Sequence, residues 1–418
     1  MSRALAVLAT AFACLMLPIG SASASVGSQD REPPYWHFNW DYVTARPLPP
    51  ACSKVPPLST LPVPIDSIVS LNRLGYTQPG AHALPVPHHN IATADLRGTG
   101  TVDEQGHLLV SERVDPIVSP GEVTVTALAR NTYQRNATTG QVFEYEEWMI
   151  VLHLCGTRYL VLNHVDDIPA AWIKVTRAKG VRRECTVGQD RAEVCMYSYL
   201  RIPVRTGQRI GRASGRSAGW DIGAWDTARP TPGVLDPGKW TGRWATGTCP
   251  WAWFTPRIRE EVYAKFVGDQ TSCGTHGQDV AGTLAGVWLA VGQRDRASVE
   301  DLHIALIPSY RNDGTYRLSI GFQSGIDGLP GGIYEFRAAA AGAHNPTFDA
   351  VGPGQVACFD TFDSQYRPDP AVAAIYASME DGATERIRIA AAPGAACGPG
   401  PYTMPERATT FERRTSPG

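Results

Sequence analysis

This chain is predicted to be mainly β and antiparallel, on three observations. Short runs of β-branched, aromatic or alternating residues recur between turn residues along most of its length. Helical periodicity is rare, and one stretch alone combines a start signal with an apolar stripe. Glycine and proline, 41 and 33 of 418 residues, punctuate the chain often enough to keep strands short. Apolar residues make up 43% and charged residues 19%, so the chain can build cores and is not disordered by composition. Its length has room for two ordinary domains. The formal net charge of −2 gives no reason to expect nucleic acid or an anionic membrane as partner.

Residues 1–25 have the layout of a secretory signal peptide. Arg3 precedes an apolar run from Ala4 to Ile19, and the small residues Ser21-Ala22-Ser23-Ala24 place cleavage near Ala24 or Ser25. The run is shorter than the ~20 residues a membrane span needs. A secreted, extracellular protein is expected, with no membrane span in the mature chain. The positive charge is almost all arginine, which suits a high-GC bacterial gene. Losing Cys14 with the signal leaves Cys52, Cys155, Cys185, Cys195, Cys249, Cys273, Cys358 and Cys397, an even set for an oxidising compartment. Cys185 and Cys195 flank a polar loop and are expected to bridge it. Cys249 and Cys273 bracket a helix, and Cys358 and Cys397 are candidates to close the last sheet. The other connectivities stay open. No C-x-x-C pair occurs, which argues against a cysteine zinc site.

Residues 26–61 are rich in proline and aromatics and are read as an extended arm tied by Cys52. A β-rich domain follows over 62–227, with strands expected at Ser67–Leu71, Val123–Leu128, Trp148–Leu154, Tyr159–Asn163 and Met196–Val204. Residues 228–285 open on proline-glycine punctuation and are read as a linker with one helix over 255–266. Thr255 is its N-cap, Pro256 its N1, and Ile258, Val262 and Phe266 its apolar face. Trp240, Trp244, Trp251 and Trp253 crowd the approach, as an apolar contact between domains or a sugar-stacking platform. Residues 286–418 form a second, small antiparallel β domain, with strands expected at Val287–Val291, Leu302–Ile307, Tyr316–Phe322, Ile333–Arg337, Gln355–Thr361 and Arg386–Ala391. Asn312-Asp313-Gly314 supplies a hairpin turn.

Chemistry concentrates in three stretches of the first domain. One contains His82 and His88-His89, one Asn163-His164 in a strand hairpin, and one Trp220-Asp221-Ile222-Gly223-Ala224-Trp225-Asp226 after glycine turns. Period 2 in the last places Trp220, Ile222 and Ala224 on one face and Asp221, Gly223 and Trp225 on the other. His153, beside Cys155 on an apolar strand, reads as a satisfied core residue. Gly215-Arg216-Ser217-Ala218-Gly219 matches G-x-S-x-G, but the elbow needs a buried strand before the serine and a helix after it, and neither flank fits.

The order Val204-x-x-Gly207-Gln208-x-Ile210-Gly211, a turn, then a short motif on a strand resembles the lysostaphin-like zinc endopeptidases of bacterial cell walls. The resemblance covers about 150 residues by order and spacing. It implies a lysostaphin-like antiparallel, barrel-like peptidase domain and, by position, assigns roles. The first zinc ligand falls on His89, or on His88, and its aspartate partner on Thr93. The hairpin histidine that works on substrate falls on His164, and the closing His-x-His falls on Asp221 and Gly223. Two of three ligand positions thus lack a competent group, since catalytic zinc takes three protein ligands from His, carboxylate or thiolate. The expected protein is an exported one with a degenerate peptidase domain, non-catalytic or weakly catalytic, holding cell-wall peptide, glycan or another surface polymer, with no cofactor. The alternative is a metal-dependent cell-wall hydrolase in which His89, His164 and Asp221 rebuild a zinc site. Instead of a metal site, the groups could form an acid-base pair in which Asp221 orients His164.

Overall fold

Strands form where β-branched and aromatic residues alternate or run together, and they pair antiparallel throughout. The computed structural model describes residues 49–79, 82–93, 115–135, 142–187, 193–213, 220–235, 243–292, 300–339, 341–361, 363–365, 373–380, 382 and 385–413. They belong to one compact unit, Glu32–Gly418. Its first sheet is built from β1 (Ile68–Leu71), β2 (His88–Thr93), β3 (Pro116–Val118), β4 (Val123–Arg135), β5 (Val142–Cys155), β6 (Arg158–Asp166), β7 (Arg182–Val187), β8 (Glu193–Val204), β9 (Arg209–Ala213), β10 (Trp220–Asp226) and β11 (Gly247–Thr248). The main path runs β1-β2-β10-β6-β5-β4-β8-β7, while β9 bridges β3 to β6 and β11 pairs β10. The mainly β expectation holds, and one sheet is nearly closed and barrel-like over eight strands.

The second sheet contains β12 (Gly286–Ala290), β13 (Ile304–Pro308), β14 (Thr315–Ile320), β15 (Gly332–Arg337), β16 (Val356–Asp360), β17 (Asp363–Gln365), β18 (Ala373–Met379), β19 (Glu385–Pro393) and β20 (Thr409–Arg413). Its order is β16-β18-β19-β20-β12-β13-β14-β15-β17. Asn312 and Gly314 both take positive φ, at 55° and 77°, as the turn between β13 and β14 requires. Gly207 does the same at 73° between β8 and β9.

The first sheet buries both faces at its centre. On β5, Trp148, Ile150, Leu152 and Leu154 enter the main core, while Met149 and Val151 join a smaller cluster on the opposite face. Such strands read as continuous apolar runs rather than as alternation.

Among the described residues, the short helices α1 (Ala170–Val175), α2 (Arg243–Thr246) and α3 (Pro256–Tyr263) accompany the sheets. α3 begins at Pro256 with Thr255 as N-cap residue, though the threonine side chain makes no capping bond. Residues 228–285 do more than connect. Trp251, Phe254, Ile258, Val262 and Phe266 pack into the first core, and Leu71 N donates to Lys265 O at 3.0 Å. Trp251 is fully buried and Trp253 lies at the core edge, so neither is a free stacking platform. Trp240 and the Trp244 side chain lie outside the described residues, as do His37, His107, Asn136 and Ser217.

Four cysteine pairs stand at disulfide distance: Cys52–Cys155, Cys185–Cys195, Cys249–Cys273 and Cys358–Cys397. They fit an extracellular protein. Among the described residues no helix is long and apolar enough to cross a membrane. Cys52–Cys155 spans 103 residues, so it removes more unfolded-chain entropy than Cys185–Cys195, which spans 10. Replacing Cys52 and Cys155 by serine is expected to cost about 2–4 kcal/mol of stability. Denaturant midpoints for the two double variants should place this loss above that for Cys185 and Cys195.

Candidate functional site

Alternation on β2, β6 and β10 decides which polar side chains meet. In the β2–β10 register Asn90 opposes Asp221, His89 opposes Ile222, and His88 opposes Gly223. Ile222 belongs to the main core, so His89 points there too, while His88, Asn90 and Asp221 share the other face. Trp220, Ile222 and Ala224 enter the main core and Trp225 the opposite cluster, as the period predicts.

A bulge brings His164 to the same face. Leu162 pairs with Ile150 and Val165 with Trp148, so β6 spends three steps where β5 spends two. Leu162 and Val165 both stay in the main core, and the two residues between them, Asn163 and His164, are pushed together onto the polar face. His164 absorbs the extra residue with φ at 59°, a conformation uncommon for a non-glycine residue.

The result is a chain of charge across four strands, β5, β6, β10 and β2. His164 Nδ1 lies 2.8 Å from Glu147 Oε1, and its Nε2 lies 3.3 Å from Asp221 Oδ2. His88 Nδ1 is 3.6 Å from the same Asp221 oxygen, and Asn90 Nδ2 donates to Asp221 Oδ1 at 3.2 Å. Glu147 and Asp221 are buried, whereas the His164 side chain keeps 24% of its surface exposed and forms the accessible end. The loop before β2 roofs the other end. His82 and His88 rings meet edge-on at 5.2 Å, Tyr76 meets His88 at 5.8 Å, and His82 Nδ1 reaches Glu300 Oε2 of the second half at 3.7 Å.

A carboxylate faces each ring nitrogen of His164, an arrangement that favours a proton on both. Burial alone would lower the His164 pKa, but Glu147 and Asp221 outweigh it and raise it well above the ordinary histidine value. Burial likewise opposes the charged form of Asp221, yet His88 and His164 hold its carboxyl below the usual carboxylate range. The two carboxylates thus favour the imidazolium form of His164, fixed between them. It can donate and attract an anionic or carbonyl oxygen, but it lacks the lone pair a general base needs.

His164 and Asp221 thus come together as expected, while His89 does not join them. His89 is fully buried on the main-core side, with its Nδ1 2.8 Å from Asn72 O and its Nε2 3.3 Å from Cys273 Sγ. Burial lowers its pKa to about 4, and the Asn72 hydrogen bond offsets this only in part. The expected His89, His164 and Asp221 trio is separated by strand alternation, because neighbours on one strand face opposite ways. The histidine beside Asp221 is His88, and the His88-His89 pair is strand rather than loop. Thr93 ends β2, and its side chain lies outside the described residues. His153 is a core residue as expected, bonded to Gly156 O at 2.9 Å and stacked on Tyr159.

Glu147 escaped the sequence reading because it sits within Glu144-Tyr145-Glu146-Glu147, which looks like a solvated strand end. Gly223 has no room for a side chain. A Cβ built there would lie 2.5 Å from Cη2 of Trp225 and 3.2 Å from His88 Cβ, so the indole occupies the volume a side chain would need. Among the described residues, three groups place three ligand-type atoms together, and each includes a disulfide-bonded cysteine: His89/Cys249/Cys273, Cys185/Glu193/Cys195 and His344/Asp360/Cys397.

Gly223→Ala should lower stability by about 1–3 kcal/mol through overpacking against Trp225, read as a fall in thermal midpoint. The His164 contribution to stability should be fully present below pH ~6.5 and lost as pH rises through its raised folded value. The Asp221 contribution should be present above pH ~4 and lost as pH falls through its depressed value. Imidazole NMR should show His164 doubly protonated at pH 7; a neutral ring there would contradict the assignment.

Comparison with protein-family models, with curated proteins and with solved structures finds no match to this chain.

Proposed function

We propose that this chain is an exported bacterial β protein whose first sheet holds a cell-surface polymer, cell-wall peptide or glycan, without cutting it. The observation that carries this reading is the clamping of His164 between Glu147 and Asp221. A histidine held as a cation is suited to gripping carbonyl, hydroxyl or carboxylate oxygens and unsuited to removing a proton from water. Two further features support it. The position where the resembled peptidases carry their last histidine is Gly223, whose side-chain volume Trp225 fills. His89 looks into the main core, away from Asp221. The paired cysteines and the signal-like first 25 residues support export.

One observation favours a second reading, a metal-dependent hydrolase with His88 in place of His89. Glu147 holds His164 by Nδ1 and leaves Nε2 toward Asp221, which is how a carboxylate orients a metal-ligating imidazole. In that reading His164, Asp221 and His88 hold the ion. It must displace the hydrogen bond between His164 and Asp221 and lower the pKa of a bound water toward ~7.

Sedimentation with purified peptidoglycan and a zymogram on the same material separate the two. Wild type should cosediment, the Asp221→Ala, His164→Ala double variant should lose at least tenfold in retention, and neither should clear the gel. Equal retention of the two proteins would remove the binding reading. A zone of lysis that disappears in Asp221→Ala, with stoichiometric zinc in untagged protein, would establish the hydrolase.

A further inference from the structure

His89 has an unusual neighbour for a core histidine. Its Nδ1 lies 2.8 Å from the Asn72 carbonyl oxygen, so that nitrogen carries the proton and donates. The lone pair of Nε2 then points at Cys273 Sγ, 3.3 Å away, in a site with no solvent exposure at His89. Cys273 is bonded to Cys249, and ligand atoms of all three residues lie within 4.8 Å of one another. We propose that opening the Cys249–Cys273 disulfide converts this cluster into a Cys2His site for zinc or a cation of the same class.

The donor set fits the ion. Two thiolates and one imidazole are a known zinc ligand combination, with bonds of about 2.3 Å to sulfur and about 2.0 Å to nitrogen. A backbone carbonyl on the far ring nitrogen is the usual way a ligating histidine is oriented and its tautomer chosen. Burial lowers the His89 pKa to about 4, so its lone pair is available at neutral pH. The sulfurs must part by about 1.7 Å to reach tetrahedral separation, within the reach of side-chain rotation. Cys249 is half-buried, which gives a reductant an approach, and Tyr263 Oη lies 3.6 Å from its sulfur.

The chemistry balances with an external thiol reductant. A dithiol supplies two electrons and two protons, is itself oxidised to a disulfide, and leaves Cys249 and Cys273 as thiols. Binding the cation then releases those two protons, while His89, already neutral, releases none. The metal keeps its oxidation state. The other two ligand groups do not share these features. His344/Asp360/Cys397 contains one sulfur of its disulfide, since the partner Cys358 is not in the group, and Cys185/Glu193/Cys195 has its carboxylate paired to Arg130 at 2.9 Å. The proposal is independent of what the Glu147–His164–Asp221 chain does.

The test is a zinc titration of the full chain against a chromophoric chelator, before and after graded reduction with a water-soluble phosphine, which takes up the oxygen of one water, leaves as its oxide with the two cysteines as thiols, and is removed before metal is added. Alkylation and mass spectrometry follow which cysteines are open. One equivalent of zinc should bind once Cys249 and Cys273 are free, and the oxidised protein should bind at least a hundredfold more weakly. Cobalt should give sulfur-to-metal charge-transfer absorbance in the reduced wild type and none in the reduced Cys249→Ser, Cys273→Ser variant. His89→Gln should weaken zinc at least tenfold. If that variant does not fold, the His89 imidazole shift of the reduced wild type on adding zinc decides its part. Reduced protein that binds no tighter than oxidised, cobalt absorbance that survives loss of both cysteines, or a His89 signal unmoved by zinc would each overturn the proposal.

Discussion

The placement of His164 depends on one irregularity of the first sheet, the extra residue at Asn163–His164 in β6. Without the bulge, alternation would send His164 into the main core beside Leu162. With it, the imidazole stands on the polar face between a carboxylate from β5 and one from β10. The positive φ at His164 is local strain of the kind found at sites where one side chain's direction matters more than backbone comfort. The two carboxylates supply the compensation, because they turn a poorly hydrated ring into a paired cation.

That arrangement also limits the chemistry. Burying Glu147 and Asp221 would be expensive if either were left uncompensated, and removing the cation between them would strand both charges. A group bound this tightly into its surroundings is a poor proton shuttle and a good fixed donor. The second half closes the far end of the relay. Tyr76, Leu84 and Val86 of the loop before β2 pack against Val287, Leu289, Ala305 and Ile307 of β12 and β13, and Ser319 Oγ donates to Ala83 O at 2.7 Å. The roof over the site is thus held to the second half by an apolar cluster, that hydrogen bond and the His82–Glu300 contact.

The two faces of β2 divide its histidines between different environments. His88 meets charge, whereas His89 meets sulfur and aromatic rings, with Phe266 at 5.2 Å and Trp251 at 5.9 Å. One residue of register separates a titratable site group from a neutral core group. A slip of one residue in the β2–β10 pairing would exchange them, which explains why a histidine pair in sequence is ambiguous until the register is known.

By itself the sequence determined what rests on local pattern. The β class, the faces of Trp220 through Trp225, the N-terminus of α3, the turns at Gly207 and Asn312–Gly314, and the Cys185–Cys195 bridge are all set by neighbours a few residues apart. His164 and Asp221 were also legible, because a carboxylate on a strand after a glycine turn and a histidine at a hairpin are local features. The tertiary structure alone decided the rest. That His88 and not His89 faces Asp221, that Glu147 is buried, and that Trp225 fills the space over Gly223 follow from pairing β2, β5 and β6 around β10 across more than a hundred residues of chain. Long-range register and a single bulge carry no short-range signature, since their energy comes from contacts that exist only once the sheet has closed.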